Sequence, residues 1–99
     1  MDPERMARVT EMEERMNRVT SWLNSGEAQN EAVLQDVRCL EDYYRSPQWR
    51  ADFEADEAGE FPADLPRGVL SEDGIDHLLE EYGERMRMTV PDKGSAETD

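Results

Sequence analysis

The chain has 99 residues, 25 acidic and 11 basic, for a formal charge of −14, and hydrophobic and charged residues each make up 36%. A chain of this size buries only roughly 60 to 70% of its unfolded surface and so supports one small core. Its field repels nucleic acid and anionic membranes while attracting basic proteins. The acidity is uneven: residues 1–24 carry a net −1, residues 25–40 −2, residues 41–64 −6 and residues 65–99 −5. The single cysteine, Cys39, excludes an internal disulfide. No apolar run approaches the roughly 18 residues a bilayer span needs, and Met1 to Thr10 alternates charge with apolar residues, unlike a signal peptide. A cytoplasmic location is the expectation.

From Pro3 to Leu23, apolar residues recur as Met6, Val9, Met12, Met16, Val19 and Leu23 at steps of three and four, which predicts a helix with one apolar stripe. Pro3 suits a first turn, and Asp2 and Glu4 complement the helix dipole there. Glu11 with Arg15, and Glu14 with Arg18, have the i,i+4 spacing of supporting ion pairs. Asn24, Ser25 and Gly26 predict a break, with Gly26 available for the left-handed conformation that ends helices. A second helix is expected from about Glu27 to Arg45, with Val33, Val37, Leu40 and Tyr44 on one face, forming an antiparallel hairpin with the first.

Ser46 followed by Pro47 signals a cap and first turn, and Trp49 and Phe53 fall one turn apart on the short helix that follows. Ala58 to Leu70 holds Gly59, Pro62, Pro66 and Gly68, so it reads as an ordered turn segment anchored by Phe61, Leu65 and Val69. Ser71 caps a last helix whose apolar face is Ile75, Leu78, Leu79, Tyr82 and Met86, with Leu70 placed to staple against Ile75. The expected architecture is all-α: one helical domain over residues 1–88 and a disordered tail over 89–99. The expected core is Met12, Met16, Val19, Leu23, Val33, Val37, Leu40, Tyr44, Trp49, Phe53, Ile75, Leu78, Leu79 and Tyr82. So small a core makes a homodimer through the stripe of the first helix an expectation too.

The stretch SPQWRADFEADEAGEFPADLPRGVLSEDGIDHLLEE, with Leu40, Glu41, Asp42, Tyr43 and Tyr44 before it, resembles a family of small bacterial proteins defined as a domain of unknown function. The resemblance spans roughly residues 3–88, with its specific part from Trp49 to Ile75. Upstream it is looser: such proteins have a proline near Gln35, which leaves the start of the second helix open. The resemblance implies a bacterial, intracellular, mainly helical protein and supplies no catalytic residue.

One cluster of residues has no local stabilising role. Asp52 and Asp56 are like charges at i,i+4, which costs a few tenths of a kcal/mol on a helix, and Glu54, Glu57, Glu60 and Asp64 lie close in sequence. Two readings are open: a solvated face, or a surface for a basic partner in which spaced carboxylates imitate a phosphate backbone. A metal enzyme is the rival, since His77 lies a turn from Asp73, Glu80 and Glu81. Yet the chain has one histidine, where a di-metal bundle needs two such motifs. Asp52, Glu54 and Asp56 imitate a calcium loop without its central glycine. No nucleophile motif or phosphate loop is present, and Cys39 reads as a small apolar residue. The sequence therefore predicts a non-enzymatic acidic binding protein without cofactor or metal, an inhibitor of the phage anti-defence type that docks on a basic nucleic-acid-binding protein, with Asp52, Glu54, Asp56, Glu57, Glu60 and Asp64 meeting that protein and no direct contact with nucleic acid or membrane. The alternatives are a metal-dependent enzyme and a scaffold or immunity-type protein binding through its apolar stripe.

Overall fold

In the computed structural model, which describes residues 2–89, four α-helices occur in the order α1 (Pro3–Ser25), α2 (Glu31–Tyr44), α3 (Pro47–Glu57) and α4 (Glu72–Thr89). A single 3-10 turn, Gly68–Leu70, precedes α4, and no strand occurs among the described residues. The protein is an all-α bundle.

Each helix end has a local cause. Asp2 caps α1 by accepting from the Glu4 N–H, and Gly26 ends it at φ 75°, a conformation that only glycine adopts without strain. Asn30 caps α2 through the Val33 N–H, and Ser46 caps α3 through the Trp49 N–H with Pro47 in the first turn. The Ser71 hydroxyl accepts from the Gly74 N–H at the start of α4.

Two boundaries differ from the sequence reading. α1 continues past Leu23 to Ser25, and α2 starts at Glu31 rather than Glu27. Tertiary bonds hold the residues between the helices: the Trp22 indole donates to the Ala28 carbonyl (3.0 Å), and the Tyr82 hydroxyl donates to the Gln29 amide oxygen (2.9 Å). Of the tail expected over 89–99, Thr89 is the last residue of α4, and residues 90–99 lie outside the described residues.

α1 and α2 form the antiparallel hairpin, with Trp22 beside the start of α2 and Arg8 beside its end. α4 runs parallel to α1. Its C-terminal half meets the end of α1 where Arg85 donates to the Leu23 carbonyl and Tyr82 packs on Trp22 at 5.5 Å. α3 crosses the other end, tied to the 3-10 turn by the Trp49 indole, which donates to the Val69 carbonyl at 3.0 Å.

The core contains the expected Val19, Val33, Val37, Leu40, Trp49, Ile75, Leu78 and Tyr82, and in addition Val9, Trp22, Tyr43, Ala55, Phe61, Val69 and Leu70. The expected core residues Met12, Met16, Leu23, Tyr44, Phe53 and Leu79 are only partly buried, lying against that centre. Val9 and Val19 of the α1 stripe, and Trp22 next to its end, are therefore covered within one chain by α2, α4 and the 3-10 turn. No described helix is long and apolar enough to cross a membrane.

Candidate functional site

Asp52 was expected on an exposed acidic face; instead its side chain is fully buried. Its carboxylate accepts from Arg5 Nε (3.0 Å), Arg8 Nε (2.9 Å), Arg8 Nη2 (2.8 Å) and the Tyr43 hydroxyl (2.6 Å). Four donors fill the roughly four acceptor positions a carboxylate offers. Burial by itself pushes the Asp52 carboxyl upward. The hydrogen bonds from Arg8 and Tyr43 and the charges of Arg8 and Arg5 outweigh it and hold the group below its usual range. The Tyr43 hydroxyl is pushed far up, by burial first and then by its bond to Asp52. Asp52 thus belongs to the fold, and the repulsion inferred from its spacing to Asp56 is answered by arginines 44 and 47 residues away.

A second cluster repeats the arrangement. Asp36 of α2 is buried and accepts from Arg15 Nη1, Arg18 Nε and Arg18 Nη2, each at 2.9 Å. The Arg18 bonds first, and the Arg15 bond and charge after them, hold its carboxyl below the usual range. In each cluster the second arginine makes a two-pronged contact, through Nε to one oxygen and Nη2 to the other. The first arginine makes one bond to the aspartate and reaches a glutamate as well: Arg5 Nη1 to Glu60 at 3.5 Å, Arg15 Nη2 to Glu11 at 2.8 Å. The expected Glu11–Arg15 pair is present; Arg18 turns away from Glu14 to Asp36, whose buried carboxylate accepts its planar fork on both oxygens while Oδ1 also accepts from Arg15.

The sequence carries the signal for this pair of clamps. Glu4 to Thr10 reads ERMARVT and Glu14 to Thr20 reads ERMNRVT, a near-repeat offset by ten residues. Ten residues at about 100° each fall about 80° short of three turns, so the two arginine pairs point in different directions around α1. One pair holds α3 and the other holds α2. The valine of each copy, Val9 and Val19, is fully buried.

The other expected partner-binding residues divide. Asp56 is half-buried, with Arg67 Nε 2.7 Å from its Oδ1, a close charge contact rather than an aligned hydrogen bond. Arg67 also donates to the Pro62 and Leu65 carbonyls, which fixes the 58–67 segment on the end of α3. Glu60 is exposed and reached only by Arg5, whereas Glu54, Glu57 and Asp64 are exposed with no cationic partner among the described residues. The six residues therefore do not form one uniform face.

The larger unpaired acidic surface lies on α4, where Glu72, Asp73, Asp76, Glu80 and Glu84 are exposed and enter no ion pair among the described residues. Asp73 and Glu84 are eleven residues apart, close to three full turns, and so share one side of the helix with Glu80. This field is felt at Tyr44, whose hydroxyl is pushed up by burial and then by Glu72, Asp76 and Asp73. His77 is largely exposed, 3.4 Å from Glu81, and no three His, Cys, Asp or Glu side chains among the described residues are grouped as a metal site. Cys39 is half-buried beside Met12 and Tyr43.

The pattern of a domain of unknown function, DUF4298, matches residues 9–90. The chain belongs to the DUF4298 family. The match takes in the second arginine pair, Asp36, Asp52 and all of α4, and begins after Arg5 and Arg8. No curated protein and no solved structure matches the DUF4298 chain.

Proposed function

We propose that this DUF4298 protein is a non-enzymatic, cytoplasmic binding module that presents an acidic face to a basic protein, and that its partner is one whose basic surface otherwise grips nucleic acid. The observation that supports this reading is the direction of the ion pairs. Arg5, Arg8, Arg15, Arg18 and Arg67 are taken up by Asp52, Asp36, Glu11, Glu60 and Asp56, while Glu72, Asp73, Asp76, Glu80 and Glu84 of α4 are exposed and enter no ion pair among the described residues. Around α4 the five exposed carboxylates outnumber the exposed guanidinium groups near them, Arg45, Arg50 and Arg87, and such an excess of negative charge steers and orients a basic partner. Spaced carboxylates along about three turns of helix offer such a partner a row of negative charge in place of phosphates. The docking face is therefore moved from the neighbourhood of Asp52 to α4, with Glu54, Glu57 and Asp64 outside the buried clamps.

The test is capture on the immobilised protein from nuclease-treated lysate of its source cell, eluted by a salt step. The expected result is a basic nucleic-acid-handling protein that salt releases and that Asp73→Lys/Glu84→Lys fails to capture, whereas Glu14→Lys, on α1, still captures it. Equal losses in both variants, or a partner that salt does not release, would count against the acidic face.

A further inference from the structure

Two open grooves meet at Tyr44 and Arg45, where α2 ends. One is bordered by Glu41, Asp76 and Glu80; the other by Arg50 with Glu72. Arg45 lines the same groove as three carboxylates yet forms an ion pair with none of them, and Arg50 likewise has no carboxylate partner among the described residues. These two guanidinium groups contrast with the five arginines already paired internally. Between the grooves lies Tyr44, partly buried, its ring packed edge-on against Trp49 at 5.0 Å. An aromatic centre flanked by arginines has the composition of residues that carry binding energy at interfaces.

The arrangement has a particular symmetry. On one side of Tyr44 three carboxylates, Glu41, Asp76 and Glu80, accompany Arg45; on the other side Arg45, which both grooves share, and Arg50 accompany one carboxylate, Glu72. A two-fold axis near Tyr44 lays the cationic groove of one copy on the anionic groove of a second, and makes each favourable contact twice, as an isologous interface requires. We propose that the chain self-associates as a two-fold dimer through this face, Arg45 and Arg50 of one copy meeting Glu41, Asp76 and Glu80 of the other, with the Tyr44 rings at the centre. The net negative charge of the two copies opposes approach, but charges beyond a Debye length of about 8 Å at physiological salt are largely screened, leaving the facing groups to decide the contact. Asp76 and Glu80 also belong to the acidic α4 surface of the proposed function, so a dimer and a basic partner would compete for these two residues, whereas Asp73 and Glu84, the positions that test that function, line neither groove.

The experiment is sedimentation equilibrium of the full chain over a concentration series, with Arg45→Glu, Asp76→Arg and the double variant. Arg45 and Asp76 are both exposed, and circular dichroism checks that each variant keeps its helices. The expected result is a wild-type dimer, a dimer Kd raised at least about tenfold in either single variant, and recovery to within about threefold in Arg45→Glu/Asp76→Arg, because the swapped charges face each other again. Glu80→Arg, expected to weaken the dimer as Asp76→Arg does, serves as the second probe if Asp76→Arg loses helix content. A monomeric wild type, or a dimer indifferent to these changes, would overturn the proposal. A monomer that binds a poly-arginine peptide through Asp76 and Glu80 would overturn it too and give the groove to a basic partner.

Discussion

The two arginine clamps use nearly the same seven residues, ERMARVT and ERMNRVT, yet they sit at different depths. In the first, Asp52 is fully buried, Arg5 and Arg8 are each about a quarter exposed, and Tyr43 adds a fourth donor at 2.6 Å. In the second, Asp36 retains slight exposure, Arg18 is half in solvent and no hydroxyl contributes. The difference teaches where a charged contact becomes indispensable. A buried ion pair gains little over a well-packed apolar one, because desolvation offsets the attraction, but removing one partner leaves the other buried and uncompensated. By that argument the first clamp fastens α3 far more critically than the second fastens α2, which also has Val33, Val37 and Leu40 in the core.

The most severe way to break the comparison is Asp52→Ala, which strands two guanidinium groups and the Tyr43 hydroxyl. It should cost about 3–5 kcal/mol, which at roughly 4–8 °C per kcal/mol lowers Tm by about 12 °C or more in thermal unfolding followed by circular dichroism. Asp36→Ala should cost less, about 1–3 kcal/mol, since Arg18 returns to water and Arg15 keeps Glu11. Tyr43→Phe removes one hydrogen bond while keeping the ring, and about 1–2 kcal/mol is expected from urea titration.

Acid sharpens the same contrast. Both carboxyls are held below their usual range, so the stability they contribute is complete above the ordinary aspartate pKa of about 4 and is lost as pH falls through the lower folded values. Urea midpoints measured from neutral pH downward should fall below about pH 4 in the wild type. The fall should be shallower in Asp36→Ala, where one of the two linked carboxyls is gone.

Much of the fold was legible because helix ends are local. Asp2 with Pro3, Gly26, Ser46 with Pro47, and Ser71 mark boundaries that the backbone adopts. The start of α2 was not, because Ala28 and Gln29 are held by Trp22 and Tyr82 from elsewhere in the chain. Periodicity favoured Tyr44 for the core, whereas Tyr43 is the more deeply buried because its hydroxyl reaches Asp52. Asp52 itself was misread for a similar reason: its spacing to Asp56 is visible in α3, but its partners lie on α1. The near-repeat on α1 is the one sequence feature that announces those partners, and it becomes meaningful only once the rotation between its two copies is set against the helices around it.

The account divides the acidic residues into those that hold the fold and those that face a partner, and one paired measurement tests that division. Asp52→Asn and Asp73→Lys/Glu84→Lys are compared for Tm and for capture of the salt-released partner. The division predicts that Asp52→Asn lowers Tm by several degrees while its folded fraction still captures the partner, and that the α4 variant, in which Lys replaces a first-turn acid, loses less Tm than Asp52→Asn and loses capture. Loss of capture in folded Asp52→Asn, with binding intact in the α4 variant, would contradict it.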